Sequence, residues 1–157
     1  MKQVFCKLAV HGAGAPRVID TLASRFGVQA RTDDPGFRVF DLLLRDHPIG
    51  TYALRLCVYA LEGSDDLRAL LAGSDGIAVM LDGLAAEGDA VGAIAPYVSE
   101  RVPVVLASAT PRSSATLFGH PLIVADFATG EGARALLLAL VPRMAEVARA
   151  KWTGVRT

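Results

Sequence analysis

The sequence holds two cysteines, one tryptophan and 6% aromatic residues, and carries no net charge. Each shortage closes off a class of protein. Cys6 and Cys57 lie inside apolar, strand-like runs with no Cys-x-x-Cys or Cys/His context. They read as reduced core thiols of a cytoplasmic protein, not as a disulfide or a metal centre. His11, His47 and His120 share no ligand spacing, so each reads as a loop or strand-end residue. The aromatics are too few for a surface that stacks successive bases. Sixteen basic residues balance sixteen acidic ones, so neither nucleic acid nor an anionic membrane is expected as a partner. Long apolar runs are also missing. The cleanest stretch, residues 135–141, falls far short of the ~20 residues a spanning helix needs. The opening MKQVFCKLAV alternates, whereas a signal peptide has a continuous apolar core.

What the chain does have is apolar bulk, 52% of 157 residues. That excludes disorder and suffices for one domain whose core needs no staples. Strand and helix signals alternate from end to end. Residues 4–10 form an apolar run that stops at His11-Gly12-Ala13-Gly14-Ala15-Pro16. Val18, Ile19, Leu22, Ala23 and Phe26 then recur at helical spacing, which predicts a helix over 16–26 with Pro16 in its first turn. Residues 37–44 and 52–61 read as strands. The seven residues between them, with Pro48 and Gly50, are too few for a crossover helix, so the pair is an antiparallel hairpin. A short helix over 62–73, a buried strand over 76–81 and a helix over 84–101 follow. A strand over 102–107, a loop or short helix over 111–119 and a strand over 121–124 come next. A long helix over 130–151 closes the chain, with Leu137, Val141, Met144 and Ala148 on one stripe and a bend or split expected at Pro142. The pattern predicts an α/β, three-layer sandwich around a six-stranded, mostly parallel sheet. Residues 1–152 form the single domain and 153–157 a tail.

In open α/β sheets ligands sit beyond the carboxyl ends of the strands. The first such end carries Gly12 and Gly14 ahead of a helix, the outline of a phosphate loop. A GxxxxGK[ST] loop also needs a second close-approach glycine, a lysine for the phosphates and a hydroxyl for magnesium. Counted from Gly12, those three places hold Arg17, Val18 and Ile19. A β-branched apolar pair neutralises no phosphate and holds no magnesium. The segment is either a divergent anion site built on Gly12, Gly14, Arg17 and the amides of Val18 and Ile19, or a tight turn.

With these residues in view, the order of segments resembles the Ras-like small GTPases, and more narrowly the bacterial MglA-type GTPases of gliding motility and polarity. Phe40-Asp41-Leu42-Leu43, with Asp46 and Gly50, is similar to that family's second strand and hairpin. Leu54-Arg55-Leu56-Cys57-Val58-Tyr59-Ala60-Leu61-Glu62-Gly63 resembles its third strand and the start of switch two. The run from Leu70 through Ser74-Asp75-Gly76 to Asp82 resembles its fourth strand with the helix end before it. Val102-Pro103-Val104-Val105-Leu106 is similar to the strand before the guanine-specifying motif, and Ala128-Thr129-Gly130-Glu131-Gly132 to the loop into the last helix. The resemblance spans nearly the whole chain. It implies a single Ras-like G domain with strand order 2-3-1-4-5-6 and strand 2 antiparallel. A plain flavodoxin-like or other doubly wound domain is the competing fold, and strands 2 and 3 running parallel with a helix between them would favour it.

The departures fall where GTP chemistry resides. The family's Asn-Lys-x-Asp lands on Ala109, Thr110 and Arg112, and an arginine cannot accept the guanine's N–H bonds. Pro-Gly-Gln of switch two becomes Leu61-Glu62-Gly63-Ser64, and Thr32 stands as the candidate magnesium hydroxyl of switch one. Positioning and charge neutralisation supply most of phosphoryl-transfer catalysis. Their joint loss implies a pseudo-GTPase without cofactor or catalytic residues, acting as an interaction module. By resemblance the partner is a roadblock-fold regulator or an active MglA-like GTPase. The interaction surface is expected around Phe37, Val39, Glu62, Asp65 and Leu67. The alternative is an unconventional nucleotide binder or slow GTPase that takes GTP or GDP with magnesium. Asp82 and Asp126 are either capping residues or site residues, and Glu62 with Asp65-Asp66 is either a switch-like acidic cluster or a helix start. Arg143, Arg149, Lys151 and Arg156 read as a solvated helix face and frayed end.

Overall fold

The computed structural model describes residues 3–12, 15–31, 37–44, 53–61, 67–81, 87–110, 113–126 and 132–154. Its strands are β1 (Gln3–Gly12), β2 (Phe37–Leu44), β3 (Ala53–Leu61), β4 (Gly76–Leu81), β5 (Val104–Ser108), β6 (Thr116–Leu117) and β7 (His120–Val124). The α-helices are α1 (Ala15–Arg25), α2 (Leu67–Leu71), α3 (Glu87–Ile94) and α4 (Ala133–Gly154), with a 3-10 turn at Ala95–Tyr97.

The strands make one seven-stranded sheet in the order β2-β3-β1-β4-β5-β7-β6. β3, β1, β4, β5 and β7 run parallel, β2 pairs antiparallel with β3, and β6 pairs antiparallel with β7. The six-strand expectation is thus corrected to seven, and with it the order at that edge. The extra strand lies within residues 111–119, where a loop or short helix was expected. The doubly wound alternative required β2 and β3 to be parallel and separated by a helix; they are antiparallel neighbours.

Side-chain alternation along the strands builds two cores. Val4, Cys6, Leu8 and Val10 of β1, with Leu54, Leu56 and Val58 of β3, pack under α1 and α4. Ala9, Tyr59, Ile77, Val79 and Leu106 face the other way, against Leu67 and Leu71 of α2 and Ile94 of α3. β4 and β5 lie between both layers and are buried at every position, as central parallel strands must be.

Three helix boundaries differ from expectation for local reasons. α3 ends at Ile94 and passes into the 3-10 turn at Pro96, because a proline ring inside an α-helix clashes with the carbonyl four residues back. α4, in contrast, runs through Pro142 without splitting. Pro142 lies on the exposed side and Leu138, whose carbonyl loses its donor, is 62% exposed; water can satisfy that carbonyl. The inward face of α4 is wider than one stripe, with Leu136, Leu140 and Ala145 buried beside the four expected residues. α4 also reaches Gly154, into the stretch expected as tail. No helix among the described residues is long and apolar enough to cross a membrane.

Asp75 fixes the register between β1 and β4. Its carboxylate accepts the Lys7 N–H at 3.0 Å, and its own N–H donates to the Lys7 carbonyl at 2.8 Å. Just before it, the Ser74 hydroxyl donates to the Leu71 carbonyl at 2.8 Å and closes α2. Both side chains are buried. Asp75→Ala leaves the Lys7 amide without an acceptor and should cost about 1–3 kcal/mol, whereas Asp75→Asn, which keeps an acceptor, should cost less. Urea denaturation of the two variants checks the order.

Candidate functional site

The carboxyl ends of β1, β4 and β5 form the edge where a nucleotide would lie. β1 runs on through His11 and Gly12, two residues further than its apolar run, and α1 begins at Ala15. Residues 13 and 14, between strand and helix, lie outside the described residues. Gly12 is itself a strand residue, in register with Met80 of β4. Its φ is +114°, and a Cβ there would stand 2.2 Å from the Met80 carbonyl oxygen. Close approach of two strands therefore accounts for this glycine.

Val18 and Ile19 lie inside α1, 5% and 0% exposed, packed in the core with Val10, Leu22 and Phe40. Ile19 is the fifth residue of the helix, where the amide already serves the i→i−4 ladder. Arg17 is exposed. Gly14 falls outside the described residues, as do Thr32, Asp82 and Arg112. Val18 and Ile19 thus share the core under α1, and Gly12 packs against Met80.

The end of β5 is closed by its own side chain. The buried Ser108 hydroxyl donates to the Thr110 carbonyl and accepts the Thr110 N–H, both at 3.2 Å. Ala109 and Thr110 are exposed. Across from them, Gly132 leads into α4 with φ +85°, and a Cβ there would come within 2.7 Å of the Val124 oxygen and Ala125 Cβ. This glycine too is required by backbone contact.

His11 is half-buried at the edge, and burial holds its imidazole below the ordinary value. The unfolded chain therefore takes up the proton first. The stability tied to neutral His11 is complete above about 6.5, the ordinary histidine value, and is lost as pH falls below it. His11→Gln should flatten the acid slope of denaturation midpoint against pH.

Of the expected interaction surface, Phe37, Val39 and Leu67 converge, but inward. Val39 is 5% and Leu67 8% exposed, and both pack with Tyr59; Phe37 is half-buried with its ring centroid 6.4 Å from that of Tyr59. Glu62 and Asp65 lie outside the described residues. On the outer edge of β2, Val39 exchanges backbone hydrogen bonds with Arg31, at 2.8 and 3.1 Å. That bridge occupies part of the outer edge of β2.

Surface features that pattern reading passed over lie elsewhere. Phe5 is 65% exposed and Phe118 55%. Phe118 and Gly119 form the two-residue turn between β6 and β7, both with positive φ, 51° and 78°. Such a turn favours Asn-Gly, and a bulky residue at its first place is strained. Phe118→Asn should raise stability by about 1 kcal/mol, readable as a higher melting temperature. The signal for Phe5 was present in the β1 alternation, since Phe5 and Lys7 share the face opposite Val4, Cys6 and Leu8.

No family model matches the chain, and no curated protein matches it.

Proposed function

We propose that this chain is a Ras-like domain, closest to the MglA type, that works by binding other proteins and carries out no nucleotide chemistry. The observation that carries the reading is the burial of Val18 and Ile19. The two places where a phosphate lysine and a magnesium hydroxyl belong are filled by core side chains. A domain of this kind keeps the outline of its relatives and presents surfaces in place of a reaction. The partner class, a roadblock-fold regulator or an active MglA-like GTPase, comes from the resemblance.

Two experiments test this. Thermal shift with GTP, GDP or ATP and magnesium should leave the melting temperature unchanged at millimolar nucleotide, because a ligand bound to the folded state alone raises it by mass action. A rise would favour the unconventional nucleotide binder. Pulldown with purified roadblock-type proteins and MglA-like GTPases encoded nearby should give a complex. Consistent failure with well-folded protein would remove the partner assignment.

A further inference from the structure

We propose that the open half of the sheet on the α2 and α3 side is a docking face for a partner protein whose contacting surface is acidic around an apolar centre. The inference deepens the binding reading above by naming a surface and the chemistry it takes.

Strand register lays out the face. Lys7, Cys57 and Asp41 stand abreast on β1, β3 and β2, and Phe5, Arg55 and Leu43 form the next row. With neighbouring strands about 4.8 Å apart, the six side chains form one compact patch. The third row, Ala9, Tyr59 and Val39, is buried at 0%, 8% and 5%. α2 is five residues long, and its Leu67 and Leu71 pack with that row. The other two rows stay open: Phe5 is 65% and Leu43 40% exposed, Lys7 and Arg55 are exposed, and Cys57 and Asp41 are half-buried. β1 is an interior strand, flanked by β3 and β4. Interior strands of parallel sheets are covered on both faces, so an aromatic ring left mostly in solvent there marks a place that no described element covers.

Charge selects the occupant. Among the described residues, Lys7, Arg31 and Arg55 lie around the half-exposed Asp41, and the buried Asp75 lies beside Lys7. Arg31 reaches Asp41 at 3.2 Å and Arg55 at 3.8 Å. Three cations against two carboxylates leave one positive charge in excess among the described residues, and all three cations are exposed whereas Asp75 is buried. The Arg55 guanidinium also sits 5.7 Å from the Phe5 ring centroid, which holds it over the apolar centre in the arrangement that arginine and aromatic anchors share at interfaces. A second copy placed face to face would set these cations against their own kind. Nucleic acid would find one ring for stacking and a carboxylate in its path. A surface with Asp or Glu around Leu or Phe matches both the charge and the apolar centre.

The test uses amide NMR spectra of the whole chain with four probes. They are a synthetic amphipathic Leu/Glu peptide, its Leu/Lys counterpart, phosphatidylcholine–phosphatidylserine vesicles, and oligouridine. The Leu/Glu peptide should shift residues 5–7, 41–43 and 55–57. Its affinity should fall about tenfold or more in Arg55→Glu, in Phe5→Ser and on raising salt to about 0.5 M. Phe5 is 65% exposed and the Arg55 side chain 44%, so the variants should fold, and unchanged spectra away from the patch verify it. No shift with the Leu/Glu peptide, an equal response to the Leu/Lys peptide, or tighter binding of vesicles or oligouridine would overturn the proposal. GTP with magnesium added to the same sample separates the two readings. Shifts near residues 12–19 would end the nucleotide-free reading and leave this face standing. Silence from the Leu/Glu peptide would end this face alone.

Discussion

Gly12→Ala should lower stability by about 3 kcal/mol or more, because it combines a left-handed backbone with overpacking against a neighbouring strand. The new Cβ would meet Met80 backbone atoms at 2.2, 3.0 and 3.1 Å. Backbone cannot rotate aside as a side chain can, so β1 and β4 would have to part at the Gly12–Met80 pair. Guanidinium denaturation reads the effect as a lower midpoint with unchanged slope. A glycine kept only for phosphate contact predicts the opposite: near-normal stability and an effect seen only with nucleotide present. Gly12→Ala therefore distinguishes a packing glycine from a ligand glycine without any ligand.

The second large effect comes from trying to build the phosphate motif. Val18→Lys with Ile19→Thr introduces the residue types that a phosphate and its magnesium require. In this fold it buries an ammonium stem at a 5% exposed position and a hydroxyl at a fully buried one. The pair should cost about 3–5 kcal/mol, from lost apolar burial and unpaired polar groups. It should yield no nucleotide affinity, since both positions face the core and not the strand ends. Thermal melts with and without GTP and magnesium measure both outcomes. Ile19→Ala alone should cost about 2–4 kcal/mol by leaving a cavity between α1 and β1.

Much of the architecture was legible because the central strands are unambiguous. Residues 76–81 and 104–108 are short, β-branched and buried on both faces, and seven residues between two strands admit only a hairpin. The edge was harder. β6 is two residues long, and its turn carries Phe118 where turn chemistry favours Asn or Gly, so nothing in residues 111–119 signals a strand. Proline gave opposite outcomes at two places: Pro96 ends a helix, while Pro142 is tolerated because its neighbouring carbonyl faces water. The departure from GxxxxGK[ST] spacing was legible in the sequence at Arg17, Val18 and Ile19. The cause of Gly12 was not visible, since that depends on the distance to Met80, a residue of another strand. The expected interaction residues Val39 and Leu67 turned inward for a related reason. Alternation tells which face of a strand a side chain is on, but only the length and seat of α2 decide which rows of that face are covered. The same short helix leaves Phe5 in solvent.

The central claim is that core side chains stand where the cation and magnesium ligands of a triphosphate belong. The most direct measurement is the nucleotide content of protein purified without added nucleotide, by acid precipitation and ion-exchange chromatography of the supernatant. The account predicts no guanine nucleotide above the trace level of a control protein. A stoichiometric yield of GDP or GTP would contradict it.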